Sequence, residues 1–150
     1  MGLDARTYQG IHSSQLVADE IRRERFARYF PRLFAYAHSL VGDDAAAKAI
    51  IIDSFTQAFE SPTHLDDEAF LFAIFDHARD LCRGSSATHG DHLSHREREV
   101  IALLFDAQLS RRQIGALTRM NEDAVNGALL KALRKLRATM TIAPAYLRAT

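Results

Sequence analysis

Apolar residues recur every three to five positions along almost the whole of this 150-residue chain, and only three prolines and seven glycines interrupt them. β-Branched alternation is scarce, so the pattern is that of helices with one buried stripe, and the fold class is all-α. Leu16, Val17, Ile21, Phe26, Tyr29 and Phe30 trace a first helix to about Phe30. Pro31 then kinks that helix or opens a new one, because proline lacks the interior N–H but suits a first turn. Leu33, Phe34, Tyr36, Ala37 and Leu40 continue the stripe until Gly42 stops it. Asp43 or Asp44 caps the next helix, whose apolar face is Ala47, Ile50, Ile51, Phe55 and Phe59. Ser61-Pro62-Thr63 reads as a loop, and a helix from about Asp66 to Arg83 carries Phe70, Leu71, Ile74, Phe75, Ala78 and Leu81.

The run from Arg83 to Asp91 has two glycines and no large apolar residue, the composition of a flexible linker. Three short helices follow. Ser94 with Glu97 forms a capping box ahead of Val100, Ile101, Leu103, Leu104 and Phe105. Ser110 caps a helix containing Ile114, Leu117 and Met120, and Asn121 caps a last one with Val125, Leu129, Leu130, Leu133 and Leu136 as its expected buried stripe. The expected organisation is a four-helix N-terminal unit over residues 1–83, a linker over 84–92, a three-helix unit over 93–138 and a tail over 139–150.

Net charge is zero, but its distribution is uneven: residues 1–88 hold nine basic against thirteen acidic side chains, and residues 89–150 hold ten against six. An acidic half fits a protein partner and a basic half fits nucleic acid, though an excess of this size also arises by chance. The single cysteine, Cys82, excludes an internal disulfide framework and fits a reducing compartment. No apolar run reaches the roughly 18 residues of a membrane span, and the first residues lack the apolar core of a secretion signal. The expectation is a soluble, cytoplasmic protein.

Two short helices joined by three or four residues, Ser110–Thr118 and Asn121–Arg137, fit a helix-turn-helix whose second helix enters the major groove. The same spacing fits a three-helix bundle without a DNA role, and the spacing alone does not choose between them.

Residues 94–137 resemble the C-terminal domain of bacterial sigma factors. The matching elements are Arg96 to Val100, the Leu109-Ser110 helix start, Ile114-Gly115 and the closing Lys131 to Arg137. Residues 25–83 resemble the other conserved domain of that family, through Arg25-Phe26, Tyr29, Pro31-Arg32-Leu33, Ala37, Gly42-Asp43, Phe55, Ala58-Phe59 and Ala78-Arg79. Two such domains in this order resemble the small extracytoplasmic-function (ECF) type. The resemblance implies a non-enzymatic factor that directs core RNA polymerase to promoter DNA, capturing melted bases of the minus-ten element with one domain and reading the minus-thirty-five duplex with the other. It implies DNA contacts from Arg111, Arg112, Asn126, Lys131, Arg134, Lys135 and Arg137, polymerase contacts from Lys48, Ile52, Asp53 and Gln57, and an anti-sigma factor as a further partner.

The sequence departs from this family at the contact positions. Relatives carry an acidic pair and a glutamine where this chain has Lys48, Ala49 and Ile52, leaving Asp53 of the polar set. Ala73 stands in place of a tryptophan, His77 in place of an isoleucine, and Arg79-Asp80 in place of Arg-Asn. Phe70, Phe72 and Phe75 could stack on bases, although phenylalanines at helical spacing are more often core. In the last helix Asn126-Gly127-Ala128 and Leu130-Lys131 replace polar and basic residues, keeping Asn126 for adenine and Lys131 and Arg134 for phosphate. These exchanges leave an alternative, a sigma-like protein-binding module that has lost promoter or polymerase contacts. An aliphatic docking face also raises a homodimer that buries Ile51 or Ile52 against its twin. His77, Cys82, His89, His92 and His95 cluster near the linker, but one cysteine in a flexible segment does not make a tetrahedral metal site, and no metal or other cofactor is expected. No phosphate-binding loop, catalytic triad or paired catalytic carboxylates emerge, so no enzyme activity is expected.

Overall fold

Pro31 does not break the first helix. The computed structural model describes residues 5–60, 66–84 and 92–141, with side chains from Gln15 to Met140. Its helices are α1 (Ala5–Val41), α2 (Asp44–Glu60), α3 (Asp67–Arg83), α4 (His95–Ile101), α5 (Arg111–Thr118) and α6 (Glu122–Thr141), with a π-helical stretch, Ala102–Asp106, continuing α4. The fold is all-α. The N-terminal part holds three helices rather than the expected four, because Pro31 and the Ala27 carbonyl it leaves without an amide partner both lie on exposed positions that water can serve. Tyr29, Leu33, Tyr36 and Ala37 are buried on the opposite side and hold the helix through the proline. The Ser61–Thr63 loop, most of the expected linker and residues 142–150 lie outside the described residues.

Helix ends follow side-chain chemistry. Asp43 accepts from the Ala46 amide at 2.9 Å and Asp66 from the Ala69 amide at 2.7 Å. Ser94 with Glu97 and Ser110 with Gln113 form reciprocal capping boxes. Gly42 closes α1 with φ +72°, the left-handed conformation that glycine takes without strain.

α1, α2 and α3 pack on one another through a phenylalanine-rich layer in which Phe55 and Phe70 are buried, with Phe59 against Phe70 at 5.6 Å between ring centroids. Phe70 and Phe75 are core residues, and Phe75 meets Tyr36 edge to face at 5.6 Å. The buried apolar residues form one continuous cluster from Tyr29 to Leu129, passing through Val100, Leu103, Ile114 and Val125. The two helical groups therefore share a core.

Where the groups meet, the contacts are polar as well as apolar. Arg79 of α3 holds Glu99 of α4 through Nε–Oε2 at 2.9 Å and Nη2–Oε1 at 3.0 Å, and donates from Nη1 to the Leu117 carbonyl at 2.7 Å. The Tyr36 hydroxyl donates to Glu99 Oε2 at 2.9 Å. Arg32 donates to the Ala107 and Gln108 carbonyls, where Gln108 takes φ +59°, and Ser39 donates to Asp106 at 2.5 Å. α1 thus grips the end of the π-helical stretch.

Several apolar residues expected in the core lie outside it. Leu16, Val17 and Ile21 are exposed on the N-terminal part of α1, and Phe105 and Leu81 are exposed too. On α6 the core takes Val125, Leu129 and Ala132, leaving Leu130 and Leu133 facing outward.

Candidate nucleic-acid interface

The pair of helices that the sequence offers as a helix-turn-helix is α5, a three-residue turn and α6. Arg119 takes the left-handed conformation, φ 60°, and the Met120 amide donates back to the Gly115 carbonyl at 2.9 Å. Gly115 is required there: a Cβ would stand 2.6 Å from the Met120 carbonyl oxygen. Asn121 then caps α6 by accepting from the Ala124 amide at 2.7 Å. α6 turns Val125, Leu129 and Ala132 inward, and this fixes which residues it presents outward.

The predicted DNA contacts fall into two groups. Arg111, Lys131, Arg134 and Arg137 are exposed, and Asn126 is half-buried at the edge of the outer face. Arg112 reaches across to Glu68 of α3 at 3.4 Å, and Lys135 is tied to Glu97 of α4 at 2.6 Å and to the His92 carbonyl at 3.4 Å. The Lys135 ammonium, with the Ser94 amide, holds the Glu97 carboxyl down at about 2. Lys135 thus fastens α6 to the start of α4, whereas Lys131 and Arg134 point outward with no ion pair among the described residues.

The predicted polymerase contacts lie together. Lys48, Ile52, Asp53 and Gln57 are all exposed on one side of α2, and Asp53 pairs with His77 of α3 at 2.9 Å. The three consecutive isoleucines divide as helical geometry demands: Ile50 half-buried, Ile51 fully buried, Ile52 62% exposed. A homodimer through Ile51 is therefore excluded, since that side chain is core, and only Ile52 is placed for such a contact.

α3 and α5 face each other across a cleft of about 420 Å³ lined by Ala69, Phe72, Ala73, Asp76, Ala116, Leu117 and Arg119. Phe72 is half-buried on this cleft, so of the three phenylalanines it alone lies where a base could reach it.

Residues that the sequence did not single out are Tyr36, Arg79 and Glu99 as a buried junction and Leu130 as an outward leucine. A charged residue inside an apolar helical stripe, as Arg79 is between Phe75, Ala78 and Cys82, was the available signal. Burial and Glu99 push the Cys82 thiol up to about 12, so it is no ready nucleophile. Of the clustered histidines, His89 lies outside the described residues, and among those described no three His, Cys, Asp or Glu side chains gather as a metal site. No described helix is long and apolar enough to cross a membrane.

Searches with family models and against curated proteins give no match. Among solved structures the fold is similar to that of CnrH in complex with the cytosolic domain of CnrY, at a TM-score of 0.66 and 19% identity, covering 84% of this chain and 91% of that one. The likeness spans both helical groups and is one of fold.

Proposed function

We propose that this chain is a sigma-type transcription initiation factor of the ECF kind, cytoplasmic and without catalysis of its own. The observation that carries the reading is the α5–turn–α6 arrangement, with Asn126, Lys131 and Arg134 on the outer side of α6 while its inner side is locked into the core. Exposed cations beside a groove-sized helix supply the phosphate contacts that position a protein on duplex DNA. The α2 face bearing Lys48, Ile52, Asp53 and Gln57 is the docking surface for core RNA polymerase. There an aliphatic contact through Ile52 replaces a polar one. Support comes from the ordered sigma-like motifs in both halves and from a fold similar to CnrH over most of both chains. That protein was solved with a cytosolic domain upon it, and a protein of that sort, an anti-sigma factor, is the inhibitory partner in this reading.

In the arrangement described, α5 stands over the Phe72–Ala73 side of α3, and Arg79–Glu99 ties the two groups together. Loading onto polymerase separates them, so that α3 can take a melted strand while α6 takes the duplex.

The test is retention on bacterial core RNA polymerase followed by run-off transcription from a pool of promoter fragments. Retention with transcripts is expected. Neither retention nor a transcript from any fragment would leave the alternative, a sigma-like module that binds protein only.

A further inference from the structure

The outer side of α6 carries more than positive charge. Asn126, Leu130 and Arg134 succeed one another at four-residue steps and so share one face, with Gly127 and Lys131 beside them. Leu130 is 52% exposed at the centre of this face, although Leu129 next to it is buried. At Gly127 a Cβ would meet nothing within 4 Å, so the backbone lies open there. The Asn126 amide has no hydrogen bond to another described residue, which leaves its donor and acceptor for a ligand. Asp123 and Glu122 occupy the first turn, where their carboxylates suit the helix dipole and offer phosphate no attraction.

We propose that α6 selects A·T pairs in the major groove, with Leu130 packed on a thymine 5-methyl group and Asn126 paired to the N6 and N7 edge of a neighbouring adenine. This deepens the DNA-binding reading above and rests on it. The thymine methyl is the one apolar group on the major-groove edge, and an asparagine amide matches adenine's donor and acceptor in a bidentate pair. Lys131 and Arg134, further along and to the side, meet the phosphates that flank the reading positions. Gly127 lets the helix backbone approach the base edges more closely than a side chain would permit. Guanine is most commonly read by an arginine or lysine, and α6 has neither before Lys131.

The experiment uses the full chain, alone and with bacterial core RNA polymerase, on a pool of duplexes with a randomised centre. The best duplex is then remade with deoxyuridine for thymine at each position in turn, which removes only the methyl group. A·T pairs are expected at the selected positions, and loss of the contacted methyl should weaken binding about four-fold. Leu130→Ala should bind the thymine and uracil duplexes equally, with an unchanged dependence on salt. Lys131→Ala and Arg134→Ala should weaken binding to every sequence and flatten the salt dependence. Selected duplexes indifferent to uracil, or a Leu130→Ala variant as sensitive to it as the parent, overturn the proposal while DNA binding stands. No salt-dependent binding to any duplex in either form overturns both.

Discussion

Arg79 and Glu99 face each other across the junction of the two helical groups, both buried, with two hydrogen bonds at 2.9 and 3.0 Å between them. The Leu117 carbonyl and the Tyr36 hydroxyl complete the shell of this pair. Because the partners come from α3 and α4, the pair bridges two halves that the sequence alone reads as separate bodies.

Removing one member leaves a buried charge without compensation. Arg79→Met is expected to cost about 3–5 kcal/mol, and adding Glu99→Leu should return part of that loss. Urea unfolding of the parent, both single variants and the double variant measures this directly. A single variant within 1 kcal/mol of the parent would mean that the bridge contributes little.

Acid should loosen the same junction. Burial alone would raise the Glu99 carboxyl, but the hydrogen bonds and charge of Arg79, helped by Tyr36, outweigh it and hold the group below its usual range. Glu97 is also held low, at about 2, chiefly by its hydrogen bond from Lys135. Both groups bind protons more weakly folded than unfolded. Their stabilisation is therefore complete above the ordinary glutamate value of about 4.3 and drains away as pH falls toward 2. The midpoint of thermal unfolding followed from pH 7 to pH 2 should drop over that window. Lys135→Ala should reduce the slope, and Lys131→Ala should leave it alone.

Cys82 reports on opening. Its thiol is buried and pushed up to about 12, so a thiol reagent at neutral pH reacts only when the surrounding helices part. Labelling of the parent should be slow, and Arg79→Met should accelerate it at least about ten-fold if the junction governs that motion. Equal rates would place the opening elsewhere.

Two glycines make opposite forecasts. Gly115→Ala drives a methyl to 2.6 Å from the Met120 carbonyl and should destabilise the chain by about 1–3 kcal/mol. Gly127→Ala has open space in a helix interior and should stabilise by about 0.5–1 kcal/mol. Parallel denaturant curves for the two variants decide the matter by sign.

Neighbouring isoleucines on α2 separate folding from docking. Ile51→Ala empties a fully buried position and should cost about 2–5 kcal/mol. Ile52→Asp touches an exposed position and should leave stability within about 0.5 kcal/mol while reducing retention on RNA polymerase. Light scattering on the parent and on Ile52→Asp shows whether the same side chain pairs two copies of the chain.

Much of the helical layout was legible because it is written locally. Asp43, Ser94, Ser110 and Asn121 sit at the starts that the sequence assigns them to cap, and the 3.6-residue stripe locates every described helix but the first, which it divides at Pro31. The long-range choices were not. Leu130 and Leu133 satisfy the apolar spacing as well as Leu129 does, and only the placement of α4 and α5 decides that α6 turns Val125, Leu129 and Ala132 inward. Pro31 forbids one backbone hydrogen bond, yet packing on the far side of α1 outweighs that loss. For the candidate site, exposure of Lys131 and Arg134 followed from the pattern. The diversion of Lys135 to Glu97 and of Arg112 to Glu68 depends on partners distant in sequence.

Because one uninterrupted apolar cluster runs from Tyr29 to Leu129, the halves cannot slide apart by degrees. Parting them strips oil-like surface from both sides at once, a cost that grows with every ångström until the seam is fully wet. A seam of that kind melts together with the rest of the core, and scanning calorimetry should record a single heat-absorption peak.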